Sequence, residues 1–248
     1  MRFDRLSVLQ TILDVGAVPT FTPLDGDAAR RVVRACRDAG APAIEVTNRA
    51  EGTLTLFREL AGWAAREVPE AILGAGTIYD APTAALFIDA GANFIVSSFF
   101  NPEVARLCNR RRVPYLPGCG TATEIAAAEE YGVEIVKLFP AAALDGPAFV
   151  RGVHGPSPMT RIMPTNVQAT EEATWAWFAA GVACVGVGPH LISDELQARA
   201  DPTALATRIK EYMGWVRSAR SGAQAGGTTG AASTIVMQPS TGQTYSHS

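Results

Sequence analysis

The sequence predicts an α/β fold, in which eight parallel strands alternate with helices and close into a single (β/α)8 barrel, the TIM-barrel architecture. Three observations predict it. The chain has 248 residues, close to the about 250 that one such barrel needs. Short apolar runs alternate with amphipathic helical stretches. The first run is not followed by the G-x-G-x-x-G turn of an open dinucleotide-binding sheet. We therefore expect the functional site at the carboxyl ends of the strands.

Eight apolar runs are the predicted strands, in chain order. Helical stretches between them, such as DAARRVVRACRDAG, TATEIAAAEEYG and TEEATWAWFAAG, end in or at glycine, as helix termini often do. A last helix from about Pro202 to Arg217 completes the domain. The strands are AVPTFT from Ala17, AIEVTN from Ala43, AILGAGT from Ala71, FIVSSFF from Phe94, PYLPGCG from Pro114, IVKLFPA from Ile135, RIMPT from Arg161 and CVGVG from Cys184.

The composition changes abruptly near Ser218. Residues 1–217 form the predicted barrel domain, whereas residues 218–248 are rich in Ser, Gly, Thr, Ala and Gln and almost free of charge. Such a segment buries too little apolar surface to fold. We expect a disordered C-terminal tail.

Composition also narrows the classes of function. The net charge is −3, 48% of residues are hydrophobic and no long basic run occurs, so we expect a soluble protein with neither nucleic acid nor a membrane as partner. The four cysteines are widely spaced, which favours reduced core thiols in a cytoplasmic protein. The three histidines lack the spacing of metal ligands, so no metal site is expected. A small molecule is the expected partner.

Lysine is rare in this chain. Of 21 basic residues only Lys137 and Lys210 are lysines. Lys210 fits a solvated helix surface, but Lys137 lies inside an apolar strand, where alternation puts it on the same side as Phe139. Burial lowers the pKa of an ammonium group and yields an amine that can attack a carbonyl. The alternative is a lysine that reaches solvent or pairs with an acid.

The second strand places Glu45, Thr47 and Arg49 on one face, toward the same interior as Lys137. A carboxylate can shuttle protons during imine formation, and a guanidinium can hold a substrate carboxylate with two hydrogen bonds. The alternative is a Glu45–Arg49 ion pair that only fills the barrel. Thr77 and Thr165, at the ends of the third and seventh strands, add hydroxyls that orient oxygen atoms or belong to turns.

The stretches IEVTNR, GAGT, FIVSS, PYLPGCGTATE, VKLFPA, MPT and AGVACVGVG together resemble the 2-keto-3-deoxy-6-phosphogluconate and 4-hydroxy-2-oxoglutarate aldolases, over roughly residues 5 to 192. The resemblance implies that Lys137 forms a Schiff base with a 2-keto acid and that Glu45 is the general acid and base. Arg49, Thr77 and Thr165 would surround the pyruvyl carboxylate, and Phe139 would pack against the pyruvyl unit. It further implies a homotrimer without metal or organic cofactor.

The chain departs from that family's pattern where a phosphate would bind. Asn166 and Val167 replace two glycines, and Pro189 replaces a serine and removes a backbone N–H. Ser98 stands where the family commonly has proline, so we expect Ser98 and Asn166 to contact the substrate. These departures predict a pyruvate aldolase for a non-phosphorylated 4-hydroxy-2-oxo acid of the 4-hydroxy-2-oxoglutarate type.

Other functions stay open. Neighbouring N–H groups can still hold a phosphate, as in a 2-keto-3-deoxy-6-phosphogluconate aldolase with an atypical phosphate site. A catalytically inactive barrel would serve as a metabolite-binding or assembly module, but it has no need of a buried lysine that costs stability. Barrel isomerases and epimerases usually use carboxylates or metals and would not need Lys137.

Overall fold

The computed structural model describes residues 2–227 and shows an α/β fold built on a curved, parallel sheet. The sheet has two hydrogen-bonded segments, ordered β5-β4-β3-β2-β1-β9 and β6-β7-β8, and every pairing is parallel. The strands are β1 (Ala17–Phe21), β2 (Ala43–Thr47), β3 (Ile72–Gly76), β4 (Phe94–Val96), β5 (Tyr115–Leu116), β6 (Gly118–Cys119), β7 (Val136–Leu138), β8 (Ile162–Pro164) and β9 (Val185–Val187).

All eight predicted apolar runs contain strands, but the fifth is divided between β5 and β6. Pro117 separates the two pieces, and proline has no N–H to give to a strand ladder. Hydrogen bonds continue on both sides of the break, from Gly118 N to Ser97 O at 3.0 Å and from Lys137 N to Pro117 O at 2.8 Å. The chain therefore passes from one sheet segment to the other at Pro117.

Helices cover the outside of the sheet, and several of them begin at a capping side chain. Asp25 and Asp80 accept hydrogen bonds from the N–H groups of Ala28 and Thr83, both at 2.7 Å, which satisfies donors that a helix start leaves free. The helices are α1 (Arg5–Val15), α2 (Gly26–Asp38), α3 (Thr53–Glu67), α4 (Ala81–Asp89), α5 (Pro102–Arg111), α6 (Ala122–Glu130), α7 (Pro147–His154), α8 (Glu171–Ala179), α9 (Asp194–Ala198) and α10 (Thr203–Gly227).

Two apolar clusters form the core. The larger fills the space between the helices and the sheet. The smaller joins residues near the amino ends of the strands, such as Val18, Ala43 and Phe94, to Val8 and Ile12 of α1. This first helix, which the sequence patterns did not identify, therefore closes the end of the sheet opposite to the carboxyl ends. Every residue of β2 and β3 is buried, as expected for parallel strands covered on both faces.

The last helix is longer than predicted, because α10 continues past Arg217 to Gly227. Ala219 is buried, and Arg220 donates a hydrogen bond to the backbone oxygen of Asp14. These contacts extend the packed domain beyond the predicted boundary at residue 218 and correct it. The remainder of the predicted tail, 228–248, lies outside the described residues. None of the helices within residues 2–227 has the length and apolarity needed to cross a membrane.

Gly74 of β3 lies against a core ring, and we expect Gly74→Ala to destabilise the protein. A Cβ there would lie 2.2 Å from Cε2 of the fully buried Phe94. Such overpacking costs about 1–3 kcal/mol or more, measurable by urea unfolding. Gly62→Ala is the matched control, since its Cβ meets only Arg66 Nη1, at 3.9 Å. That helix substitution should stabilise the protein by about 0.5–1 kcal/mol, and equal losses in both variants would contradict the packing argument.

Candidate active site

A cavity of about 380 Å³ opens at the carboxyl ends of the strands, where sites of parallel α/β folds are found. Glu45, Lys137 and Thr165 contribute to its wall from β2, β7 and the residue that follows β8. Arg49, Phe139 and Asn166 also line it. The structure thus brings six of the eight predicted site residues to one cavity, although the sequence separates the outermost by more than a hundred residues.

Lys137 is buried in the wall of this cavity, with 5% of its surface exposed. Burial lowers the pKa of its ammonium group below the ordinary value of 10.5, and Arg49 lowers it further, whereas the Glu45 carboxylate acts in the opposite direction. The ammonium nitrogen lies 5.2 Å from the centroid of the Phe139 ring, a separation that allows a cation–π contact. Lys137 is therefore neither solvated like a strand-end lysine nor part of any ion pair among residues 2–227.

Glu45 is also buried, and only 2% of it is exposed. Its Oε2 accepts a hydrogen bond from Thr20 Oγ1 at 3.2 Å. Its Oε1 lies so close to β3 that a Cβ on Gly76 would be 1.9 Å away. The Glu45 carboxylate can therefore occupy this position only because residue 76 is a glycine.

Arg49 follows the end of β2 and is exposed, and its Nε donates a hydrogen bond to Thr77 Oγ1 at 3.2 Å. Its two terminal nitrogens make no hydrogen bond or ion pair within residues 2–227 and can bind a ligand. The ion pairs of residues 2–227 do not include Glu45 with Arg49, which removes support from the interpretation of a pair that only fills the interior. Thr77 has a φ of 61°, a rare conformation for a β-branched residue.

The segment after β8 contains a left-handed backbone conformation of the kind that glycine favours, although no glycine is present there. Asn166 has the left-handed φ of 58°, which asparagine tolerates better than most residues. Val167 does not adopt this conformation. It is instead buried, and its N–H points at the backbone oxygen of Gly186 at 3.4 Å. Val167 therefore fits this position without backbone strain, and its N–H is used by Gly186 rather than offered to a ligand.

Two predicted residues, Thr77 and Ser98, do not belong to the cavity wall. Thr77 is connected to it through Arg49. Ser98 is half-buried after β4, and the neighbouring Ser97 is the fully buried serine, which donates to Ile78 O at 2.6 Å.

Sequence patterns also missed part of the wall. Thr20 and Thr22 alternate along the end of β1, and Thr22 Oγ1 lies 2.7 Å from Thr47 Oγ1, so the spacing of these threonines was a usable indication. Asp194 and Gln197 reach the cavity from the short helix α9, and no sequence motif marks them.

Comparison with known proteins shows one family. A family model described as "Aldolase: KDPG and KHG aldolase" matches residues 10–206. The chain is similar to a 2-dehydro-3-deoxy-phosphogluconate aldolase of Treponema pallidum, with 34% identity over 161 residues, 65% of this chain and 75% of the relative. It is similar to the KHG/KDPG aldolase of Escherichia coli K12, with 30% identity over 192 residues, 76% of this chain and 87% of the relative.

A solved structure has the same fold. It is the 4-hydroxy-2-oxoglutarate/2-dehydro-3-deoxyphosphogluconate aldolase from TTHB1, with a TM-score of 0.72 and 28% identity, covering 86% of this chain and 99% of the other. The matched residues 10–206 include every strand of the sheet, Lys137 and Glu45. The chain therefore belongs to the KDPG and KHG aldolase family, a family of aldehyde-lyases.

Proposed function

We propose that this chain is a class I aldolase that forms and breaks the bond between pyruvate and an aldehyde in a non-phosphorylated 4-hydroxy-2-oxo acid. The observation that carries the proposal is Lys137, a buried amine with a lowered pKa in the same cavity as the buried Glu45 carboxylate. A cost in stability of this kind is typical of a nucleophile. This cost argues against an inactive binding module, because such a module would gain nothing from a buried lysine.

In the proposed condensation, the neutral amine of Lys137 attacks the keto carbon of pyruvate and forms a carbinolamine. Loss of water gives a protonated imine, which withdraws electrons from the neighbouring methyl carbon. Removal of a methyl proton gives an enamine, whose carbon attacks the aldehyde carbon while the aldehyde oxygen takes up a proton. Water then hydrolyses the imine and restores Lys137. Glu45, through an ordered water, moves these protons.

Binding of the keto acid falls to the residues around Lys137. The free nitrogens of Arg49 suit a carboxylate, and the hydrogen bond to Thr77 fixes the guanidinium from behind. Thr165 offers a hydroxyl in the cavity wall, and Phe139 provides an apolar surface for the pyruvyl unit. Ser98, which is half-buried after β4, is proposed to contact the substrate from outside this wall.

We infer that the substrate carries no phosphate because few backbone N–H groups near the rim of the cavity are free to bind one. Pro189 has no N–H, and the N–H of Val167 points at Gly186. The N–H groups of Leu191 and Ile192 both donate to Gly188 O, at 2.9 and 3.0 Å. A phosphate needs such groups free. The alternative is a 2-keto-3-deoxy-6-phosphogluconate aldolase with an atypical phosphate site. Comparing the activity on matched phosphorylated and non-phosphorylated substrates would distinguish the two functions.

We propose that the strands close into a complete (β/α)8 barrel. The hydrogen bond from Gly118 to Ser97 supports one junction of the two sheet segments, and two contacts support the other. These are the hydrogen bond from Ala183 N to Ile162 O at 3.0 Å and the bridge between Thr165 and Gly186.

We also propose a homotrimer in the cytoplasm. The exposed rings of Tyr79 and Phe99 stack with centroids 5.4 Å apart, and association would remove this apolar surface from water. The four cysteines are free and buried, which suits a reducing compartment.

Incubation with pyruvate and sodium borohydride should add a pyruvate-derived mass at Lys137, located by peptide mapping. Lys137→Met should abolish the adduct, whereas Lys210→Met, which changes the other lysine and an exposed one, should keep it. The absence of an adduct at Lys137 in folded wild-type protein would contradict the proposed mechanism.

The same Lys137→Met variant should be more stable than the wild type near neutral pH. The folded-state pKa of Lys137 is below 10.5, so between the two pKa values the unfolded chain binds more protons and stability rises with pH. Removing the group should therefore increase the free energy of unfolding near neutral pH, and the gain should shrink as the pH approaches 10.5. Urea unfolding at several pH values measures this, and a loss of stability would contradict the direction of the shift.

Glu45→Gln should separate two effects of this carboxylate. Glu45 raises the pKa of Lys137, so its loss should move the acid limb of imine trapping by pyruvate and cyanoborohydride to lower pH. Turnover should fall by about 10²–10⁴-fold because proton transfer is lost. Trapping with an acid limb unchanged or moved to higher pH would show that Glu45 does not act on Lys137.

Thr77→Gly tests the support of Arg49. Glycine accepts the φ of 61° without strain but removes the acceptor of Arg49 Nε, so the KM for pyruvate should rise about tenfold, the effect of losing roughly 1.4 kcal/mol of binding, with little change in unfolding free energy. Thr77→Ser keeps the hydroxyl and should stay near the wild-type KM. An unchanged KM in Thr77→Gly would exclude this positioning role.

A further inference from the structure

The outer wall of the cavity is formed by the short helix α9, which the family pattern did not lead us to expect. Asp194 and Gln197, three positions apart and therefore on one helix face, both line the cavity. Lys137 and Glu45 are buried, whereas Asp194 is exposed. Asp194 thus lies toward the mouth, where the end of the substrate farthest from the imine must fit.

Gln197 is buried in this wall, with only 1% of its surface exposed. Its backbone oxygen accepts a hydrogen bond from Arg31 Nη2 at 2.9 Å, and its backbone N–H donates to Ser193 O at 3.0 Å. Its side-chain Nε2 points to Asp194 Oδ1 at 3.5 Å, but its Oε1 has no partner among the described residues. A buried acceptor without a donor is unfavourable, so this wall favours a ligand that brings donors.

The charges in the wall agree with this requirement. The cations that line the cavity are Lys137 and Arg49, and the proposed function assigns both to pyruvate. The mouth adds the carboxylate of Asp194 and no positive charge from the wall. His190 is nearby in sequence, but its ring contacts Gln168 Nε2 at 3.1 Å and it does not line the cavity. A phosphate or carboxylate at the mouth would face a like charge, which disfavours binding.

We propose that Asp194 and Gln197 select an uncharged, hydroxyl-bearing aldehyde as the second substrate. The inference rests on the proposed aldolase function and narrows it. Two acceptors, the Asp194 carboxylate and the Gln197 amide oxygen, match the hydroxyl donors of a small polyol chain. Glyoxylate, the aldehyde released from 4-hydroxy-2-oxoglutarate, carries a carboxylate and fits less well, so the inference departs here from the 4-hydroxy-2-oxoglutarate type of substrate that the sequence predicted. The favoured product is thus a non-phosphorylated 3-deoxy-2-keto sugar acid.

The test compares four aldehydes in condensation with pyruvate: glyceraldehyde, propanal, glyoxylate and glyceraldehyde 3-phosphate. The wild type should have its highest kcat/KM with glyceraldehyde. Propanal, which lacks the hydroxyls, should be lower by about tenfold or more, as expected when buried acceptors lose their donors. A wild type that prefers propanal, glyoxylate or the phosphorylated aldehyde would overturn the inference.

Asp194→Asn removes the charge and nearly keeps the shape, and the residue is exposed, so folding should be unaffected. The ratio of kcat/KM for each anionic aldehyde to that for glyceraldehyde should rise about tenfold, as expected for the loss of a like charge worth roughly 1.4 kcal/mol. Glu195→Gln is the matched control. Glu195 lies on the same helix, is exposed, pairs with Arg199 at 2.6 Å and does not line the cavity, so its ratios should match the wild type.

Equal ratios in Asp194→Asn and the wild type, or equal shifts in Asp194→Asn and Glu195→Gln, would overturn the role of Asp194. The borohydride adduct is measured in the same protein samples. No adduct at Lys137 would refute the proposed function itself, whereas a normal adduct with the wrong order of aldehydes refutes only the selection by α9.

Discussion

The burial of one amine, Lys137, is the constraint around which the site is arranged. A charged ammonium group is costly to remove from water, and the fold supplies no ion-pair partner within residues 2–227 that would offset this cost directly. It supplies instead a distributed environment. The ring of Phe139 lies beside the nitrogen, and the Glu45 carboxylate and the Arg49 guanidinium change its pKa in opposite directions. The net effect favours the neutral amine, the form that can attack a carbonyl carbon.

The backbone at the end of β3 accommodates the two charged side chains, Glu45 and Arg49, that change the pKa of Lys137. Gly76 leaves room for the Glu45 carboxylate, and no larger residue fits there without moving it. Thr77, the next residue, adopts a left-handed backbone and offers its hydroxyl to Arg49. Two neighbouring residues at the end of β3 therefore make room for Glu45 and support Arg49, the two charged groups that change the pKa of Lys137. Strain of this kind is maintained only where the rest of the fold determines the conformation.

The inner and outer parts of the cavity follow different requirements. The inner part has the amine, carboxylate and guanidinium that suit a keto acid. At the outer part, the N–H groups of Val167, Leu191 and Ile192 donate to backbone oxygens, Pro189 has no N–H, and the side chains from α9 offer acceptors. In the function that we propose, the inner part keeps the imine chemistry, while a separate element, the five-residue helix α9, selects the second substrate. The arrangement agrees with the general division in such folds between strand ends that hold the chemistry and loops that vary.

The sequence by itself determined the strand–helix order, the positions of all eight apolar runs and the residues of the inner site. Local physics is enough for these, because alternation defines which face a strand residue occupies and a lysine within an apolar strand is unusual in any context. Motifs such as IEVTNR and VKLFPA added the family. Six of the predicted residues, among them Lys137, Glu45 and Arg49, line the cavity.

Only the tertiary structure decided the rest. Ser98 is not in the cavity wall, and Thr77 acts through Arg49. The helix α1 closes the amino ends of the strands, and α10 extends to Gly227 through contacts such as that of Arg220 with Asp14. Asp194 and Gln197 carry no local pattern, since their role comes from where α9 packs against α2 through Arg31. Contacts between residues far apart in the chain depend on the packing of whole elements, which local periodicity does not encode.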